Sequence, residues 1–384
     1  MLKRRKITFV VGNRAHFARI QPIIRYLKPE EYRVIVFEAA AVREYGNVLS
    51  EIKDKCKHVS VLYTNISGSN LITMTKSTGM AIIDLSIELS REKPDVVVVI
   101  ADRYESLAAA IAARYMNIPL AHVQGGEVTG SIDDSVRHAI TKLANLHFVS
   151  NNNCGERVMK MGEKKGTIFV TGCPTIDFCS ELPRKDVNSL FSSMSKGDYE
   201  KNFFVRGKYI VVAYHPITTE NDSKKNEDNF SSLLNAIDDL NVKAVWMYPN
   251  IDAGRGRLMK KIIQFKAYDR KGNIHFFKHF DAKDYLLLVN NAACIVGNSS
   301  VGIRESSFLG IPSVNVGYRQ IGRTKRLNVL DCKAEKTKIK VAILKQIKHG
   351  RYKPDRYYGD GFAGKRIAEI LKKNKLDYNK EMSY

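Results

Sequence analysis

No stretch of this sequence approaches the roughly 20 consecutive apolar residues that cross a bilayer, so a membrane-spanning helix is excluded from the expectations. Nor is there a signal-peptide core: Met1-Leu2-Lys3-Arg4-Arg5-Lys6 leads directly into an alternating strand, and the expected location is the cytoplasm. The six cysteines, at positions 56, 154, 173, 179, 294 and 332, include no CxxC pair and no nearby histidine ladder. That scatter argues against a disulfide framework and against structural zinc, and leaves them as reduced thiols. No internal repeat or low-complexity segment is present, which removes solenoids and disordered tails from consideration. Acidic residues are the scarce charge, 40 against 62 Lys and Arg, for a net +22. Such a balance suits nucleic acid, an anionic surface or a phosphorylated substrate. The basic residues of the last segment, 15 against 7 acidic from Asp331 to Tyr384, are spread at one- to five-residue intervals rather than joined in a block with interleaved aromatics. A solvated basic surface is the favoured reading, and no nucleic-acid partner is expected.

What is present is a rhythm of short β-branched runs alternating with helix-period segments, the pattern of parallel sheets with crossover helices. Buried strands are expected at Ile7 to Val11, Val34 to Phe37, Val96 to Ile100, Leu120 to Val123, Leu146 to Ser150 and Ile168 to Thr171. A charged stretch from Leu182 to Lys208, with Pro183, Gly197 and Gly207, reads as a linker. A second series follows at Tyr209 to Tyr214, Val242 to Met247, Ile274 to Phe277, Cys294 to Val296 and Ser313 to Val316. The expected fold class is α/β, with two Rossmann-like, doubly wound parallel-sheet domains facing a central cleft. Their expected extents are residues 1–181 for the N-terminal domain, 182–208 for the linker, 209–360 for the C-terminal domain and 361–384 for a terminal helix and tail. Ligands of such sheets sit outside the carboxyl ends of the strands, so post-strand loops carry the search.

Among them, Gly297-Asn298-Ser299-Ser300-Val301-Gly302 follows a buried strand and opens a helix. Backbone N–H groups, a helix N-terminus and two hydroxyls would there meet a diphosphate, where the plain alternative is a serine N-cap. Glu305, one turn on, is placed to accept both ribose hydroxyls, and Arg319 or Arg323 to pair with phosphate. His215 directly follows the strand YIVVAY. In the first half, Arg14 lies in the loop after strand one and Asp102-Arg103 comes directly after VVVVIA. Glu127 and Asp133 flank the Gly125-Gly126 turn and the next helix, where Asp133 falls beside Arg137 and Asp134 beside His138 at i, i+4. Acidic residues at a helix start also simply complement its dipole. Carboxylates after two different strands are nonetheless what sugar proton transfer needs, since one must take and another give.

Together, GNRA at Gly12, DRYESLA at Asp102, GGEVTGSIDDSVRHAITKLA at Gly125, TGCPTID at Thr171, AYHPITTE at Ala213, YPNIDAG at Tyr248, GNSSVGIRE at Gly297, RQIGR at Arg319 and YGDG at Tyr358 carry a resemblance. From about Ile7 to Leu371 the chain resembles the hydrolysing UDP-N-acetylglucosamine 2-epimerases of sialic-acid biosynthesis, including the epimerase half of the animal bifunctional epimerase/kinase. The resemblance implies a GT-B-type fold, no metal or other cofactor, and a homodimer or homotetramer. It also implies a UDP-amino-sugar substrate that loses UDP by elimination to a 2-acetamidoglucal, which water converts to a free manno sugar. Family nucleotide contacts fall on Arg14, Arg103, His215, His279, Ser299, Ser300, Glu305 and Arg323, and two catalytic carboxylates on Asp102 and Asp133.

The third acidic position of the family is Gln124 here, and an amide does no general-base work near neutral pH. Other departures share the sugar side. Arg14-Ala15-His16-Phe17 replaces Arg-Ala-Asp-Tyr, Ala101 replaces a glycine before Asp102, and Glu38-Ala39-Ala40-Ala41 lacks a usual histidine. His16 enters as a candidate substitute base. The rewritten sugar side suggests three outcomes: the family reaction, a related reaction on another UDP-amino sugar such as a 6-deoxy diacetamido sugar, or a catalytically impaired UDP-sugar binder.

Overall fold

The computed structural model describes residues 4–38, 48–66, 70–183, 187, 205–217, 223–250, 252–268, 271–381 and 383. Positions 39–41 and most of the expected linker, 184–186 and 188–204, lie outside them. The chain divides into two compact units. Unit 1 comprises Met1–Val128, Ile132–Asp177 and Tyr358–Tyr384, and unit 2 comprises Thr129–Ser131 and Phe178–Tyr357.

Among the described residues, unit 1 holds a seven-stranded sheet: β1 (Ile7–Val11), β2 (Tyr32–Phe37), β3 (Val59–Leu62), β4 (Val96–Ile100), β5 (Leu120–Val123), β6 (Leu146–Val149) and β7 (Ile168–Val170). Its order is β3-β2-β1-β4-β5-β6-β7, with parallel pairing throughout. Runs such as VVVVI in β4 are buried at every residue because helices cover both faces, which is why they read as continuous apolar stretches rather than alternating ones. One face packs α1 (Arg14–Ile24) and the C-terminal helix, contributing Phe17, Ile20, Ile367 and Leu371. The other packs α3 (Leu71–Glu92) and α4 (Tyr104–Tyr115), the latter through Ala108, Ala109, Ala112 and Ala113. The small residues of α4 let it lie close against the sheet. A short helix, α2 (Val48–Lys55), and the crossovers α5 (Asp133–Leu143) and α6 (Asn152–Lys160) complete the unit, and α7 (Thr175–Ser180) begins in it and ends in unit 2.

Unit 2 holds β8 (Tyr209–Ala213), β9 (Lys243–Met247), β10 (Ile274–Phe277), β11 (Cys294–Gly297), β12 (Ser313–Val316) and β13 (Val329–Cys332), ordered β10-β9-β8-β11-β12-β13 and again parallel. Helices α8 (Ser223–Leu240), α9 (Arg255–Tyr268), α10 (Ala282–Asn291), α11 (Arg304–Leu309) and α12 (Lys336–His349) pack around it. Its core stacks Phe230 edge-on to Trp246 at 5.4 Å between centroids. The last helix, α13 (Ala363–Lys373), belongs to unit 1: the Asp177 carboxylate accepts from the Ala363 and Gly364 N–H groups at 2.9 and 2.7 Å and caps it. No helix among the described residues is long and apolar enough to cross a membrane.

Strand order reverses direction once in each sheet, between β1 and β4 in unit 1 and between β8 and β11 in unit 2. Neighbouring crossovers there leave on opposite faces, so the loops part and backbone groups open at the carboxyl ends. Those loops are Gly12–Asn13 and Ala101–Arg103 in unit 1, and Tyr214–Ile217 and Asn298–Ser300 in unit 2.

Candidate active site

In unit 1, Asn13 caps α1 by accepting the His16 N–H on Oδ1 at 2.8 Å, and the Gly12 N–H donates to His16 Nδ1 at 3.1 Å. Burial, then the charges of Arg103 and Arg19, hold the His16 imidazole well below its usual pKa. A neutral ring whose Nδ1 accepts carries its proton on Nε2. His16 is thus arranged as a hydrogen-bond donor, which removes the ground for casting it as the substitute base.

Asp102 leaves β4 through Ala101, which adopts a left-handed φ of 55°. The Ala101 carbonyl is held by His122 Nε2 at 2.8 Å, while Thr141 Oγ1 lies 3.1 Å from His122 Nδ1. Burial pushes the His122 pKa down to about 3, so the ring is a neutral prop. Arg137, fully buried, joins Asp102 through one guanidinium nitrogen, and through another it joins Asp134 at 2.6 Å and the Glu127 carbonyl at 2.7 Å. Beside the expected i, i+4 spacing of Asp133, Asp134 at i, i+3 is an α5 carboxylate that grips Arg137. Asp133 is the first residue of α5 and half-buried. Arg103 makes a two-pronged pair with the buried Glu105 carboxylate at 3.0 and 3.2 Å. Arg14 opens α1.

Gln124 sits at the end of β5, buried and with φ of 68°. Its Oε1 accepts from Arg19 Nε at 2.6 Å, and its Nε2 donates to Cys173 Sγ at 2.9 Å. Both ends of the amide are used. Gly126 follows at φ of 74°, where a side chain would run into the Cys154 carbonyl, so only glycine turns the chain there toward Glu127.

In unit 2 the centre is Asn298, fully buried between the switch-point strands. Its Oδ1 accepts the His215 N–H at 2.8 Å, its Nδ2 donates to the His215 carbonyl at 2.9 Å, and its own carbonyl accepts from Arg319 and from Gln320 Nε2 at 3.2 and 3.1 Å. Gln320 Oε1 then accepts from Arg323 Nε at 2.8 Å. One asparagine therefore fixes three segments that the sequence presents separately. The Asn250 N–H donates to His215 Nδ1 at 3.2 Å, which places the proton of a neutral ring on Nε2.

Gly297, at φ of 133° against the Ala213 carbonyl, brings the next loop close to β8. Instead of opening one long helix, the loop makes a 3-10 turn, Ser300–Gly302, followed by the six-residue α11. This corrects the expected helix-dipole contribution, because aligned dipoles need more length and a shared axis. Nor does the Ser299 hydroxyl cap that turn. The N–H groups of Ser299, Ser300 and Val301 donate to no backbone carbonyl among the described residues. Arg304, buried, donates to Ser300 Oγ at 2.9 Å and leaves that hydroxyl proton to point elsewhere. Glu305 is buried with its carboxylate 3.9 Å from Arg304 Nε. His279 follows β10, the edge strand, with β9 and β8 between that strand and β11. Asn298, Gln320, Arg19 and His122 were not among the sequence candidates. An asparagine directly after a buried strand at a switch point was the available signal for the first.

A family model for UDP-N-acetylglucosamine 2-epimerase matches residues 27–372. The chain is 32% identical over 372 residues, 96% of each sequence, to the UDP-N,N'-diacetylbacillosamine 2-epimerase (hydrolyzing) of Legionella pneumophila. It is 31% identical over 337 residues, 86% of this chain and 85% of the relative, to the GDP/UDP-N,N'-diacetylbacillosamine 2-epimerase (hydrolyzing) of Campylobacter jejuni. In fold it is similar to the Methanocaldococcus jannaschii UDP-GlcNAc 2-epimerase crystallised with UDP-GlcNAc and UDP, with a TM-score of 0.78 and 20% identity over 95% of this chain and 99% of that one. With parallel α/β units of this order, loops built at both switch points and a family match spanning nearly the whole length, the chain belongs to the UDP-N-acetylglucosamine 2-epimerase family.

Proposed function

We propose that the chain is a hydrolysing 2-epimerase of a UDP-linked N-acetylated amino sugar, releasing UDP and the free 2-epimerised sugar. The observation that carries the nucleotide assignment is the Asn298 network. It holds the His215 loop, the serine turn and the Arg319–Arg323 segment together while the N–H groups of Ser299, Ser300 and Val301 lack backbone acceptors. Such N–H groups with an adjacent hydroxyl and a guanidinium suit a diphosphate. In this reading Ser299, Ser300 and Arg323 meet phosphate, Glu305 the ribose, and His215 and His279 donate to oxygen. Arg14 and Arg103 complete the nucleotide contacts.

The chemistry falls to unit 1. A carboxylate takes the C2 proton, the C1–O bond breaks with its electron pair leaving on UDP, and a C1=C2 unsaturated sugar results. Water then adds, hydroxyl to C1 and a proton to C2 from the other face, so one water is consumed per turnover. Asp102, oriented by Arg137, and Asp133 at the start of α5 supply the taking and the giving. His16 donates through Nε2 to a sugar oxygen.

Two sugars compete. A 6-deoxy diacetamido sugar is favoured over UDP-N-acetylglucosamine by the relatives' names and by Gln124, whose amide offers no proton-transfer group where the family has a carboxylate. UDP should raise the melting temperature more than AMP, by mass action on the native state. Equal shifts, or none, would remove the nucleotide assignment. Turnover in D2O, followed by NMR over a panel of UDP-amino sugars, should place deuterium at C2 of the product. A product without it would exclude elimination.

A further inference from the structure

Beyond α13 the chain crosses unit 1 at the amino end of β6, the end of the sheet opposite the Ala101–Arg103 and Gln124–Glu127 loops. Arg114 and Asn145 donate to the Tyr378 and Asp377 carbonyls at 2.8 Å each, Lys164 pairs with Glu381, and the Ser383 N–H donates to the Gly162 carbonyl at 2.8 Å. Between these ties Lys380 turns inward, its side chain 11% exposed. The ammonium lies 2.6 Å from the buried Glu163 carboxylate, which His147 and Lys142 also hold at 3.0 Å each. It donates as well to the Thr141 and Ala144 carbonyls at 3.1 and 2.6 Å. Those carbonyls end α5, where a helix leaves acceptors without partners and its dipole favours a cation. Burying an ammonium costs about what its pairing returns, so what such a contact fixes is geometry.

Thr141 joins this contact to the chemistry. Its carbonyl takes Lys380, and its hydroxyl lies 3.1 Å from Nδ1 of His122, whose Nε2 donates to the Ala101 carbonyl at 2.8 Å, beside Asp102. The Gly125 turn rests on the same pair, since a Cβ there would lie 3.0 Å from both His122 Nδ1 and Thr141 Oγ1. One turn earlier on α5, Arg137 joins Asp102, and Asp133 opens the helix roughly 15 Å from its held end. Helix α5 thus carries Asp133 and steadies Asp102 twice, while Lys380 fixes its far end. We propose that the C-terminal tail is a clasp on α5 and Lys380 a positioning residue of the reaction, acting through Thr141 and His122 on the Ala101–Asp102 loop; this rests on the elimination chemistry assigned above to unit 1.

Lys380→Met keeps the side-chain stem and removes the ammonium, leaving Glu163 to Lys142 and His147. In the full chain it should lower kcat for UDP release about 10- to 100-fold, with KM and the UDP dissociation constant within about twofold of the parent, because alignment is lost rather than binding. Without any substrate, hydrogen exchange followed by mass spectrometry should quicken in peptides covering Ala101–Arg103 and Asp133–Leu143. Lys380→Met/Glu163→Gln removes both charges, so its melting temperature should return toward the parent's while kcat stays low. Unchanged kcat, unchanged exchange, a loss carried wholly by KM or UDP affinity, or a kcat that recovers with stability in the double variant would each overturn the proposal. A parent that releases UDP from no UDP-amino sugar would instead sink the functional reading, and the exchange measurement would then decide the clasp by itself.

Discussion

Replacing Gln124 by glutamate tests the reading of the sugar side at its most unusual residue. The side chain is buried, with Oε1 2.6 Å from Arg19 Nε and Nε2 2.9 Å from Cys173 Sγ. The first contact is already charge-assisted through the Arg19 guanidinium, and in Gln124→Glu it becomes an ion pair, a gain of about 1.5 to 3 kcal/mol. The second loses its N–H donor, but Cys173, whose Sγ also lies 3.0 Å from Thr175 Oγ1, can turn its S–H to the new oxygen. Against this stands the cost of burying a carboxylate, several kcal/mol before pairing. The two nearly offset, so the variant should fold, with stability within about 2 kcal/mol of the parent. The informative readout is UDP release on two substrates. If Gln124 is tuned for a diacetamido sugar, the parent turns that sugar over and the glutamate variant is slower on it. On UDP-N-acetylglucosamine the variant should gain roughly the 10² to 10⁴ that one acid/base group contributes. Brisk parental turnover of UDP-N-acetylglucosamine, unchanged in the variant, would refute the reasoning by showing that Asp102 and Asp133 suffice.

Asn298→Ala should cost about 2 to 5 kcal/mol in chemical denaturation, since it strands the buried N–H and carbonyl of His215, and should weaken UDP binding in titration calorimetry. Asn298→Asp keeps the first of those bonds and tests the same point if the alanine variant does not fold; undiminished UDP affinity in either would remove Asn298 from its organising role. Ala101→Gly relieves a left-handed φ, so it should leave stability unchanged or raise it by up to about 1 kcal/mol, where glycine in an ordinary strand position lowers it; a loss above about 1 kcal/mol would show that the strain is illusory. At Glu163, burial raises the carboxyl pKa, but hydrogen bonds from His147, Lys380 and Lys142 outweigh it and hold the group at about 2 rather than 4.5. Its contribution is therefore present above pH 4.5 and lost as pH falls from 4.5 toward 2, so the acid limb of a stability–pH curve should flatten in Glu163→Gln; an unaltered limb would contradict the assignment.

Continuous apolar runs such as VVVVI and YIVVA announce strands buried on both faces, and their alternation with helices requires a parallel, doubly wound sheet. That much, and the location of ligand loops after the strands, follows from the sequence, because burial and helix period are local properties of the chain. The edge strands β3 (VSVL) and β13 (VLDC) escaped the reading, since half-exposed residues carry no such run. What acts on what was decided only by tertiary structure. Arg137 could be assigned to Asp133 by helix spacing, but sheet order brings Asp102 to it from 35 residues away. Asn298 and His215 are 83 residues apart and become one unit only because β11 lies beside β8. The same holds for Gln124, which reads as a lost carboxylate in the sequence and becomes, once folded, an amide engaged at both ends by Arg19 and Cys173. The pattern of apolar residues chooses the sheet, whereas the partners of buried polar groups depend on strand neighbours that no local spacing encodes.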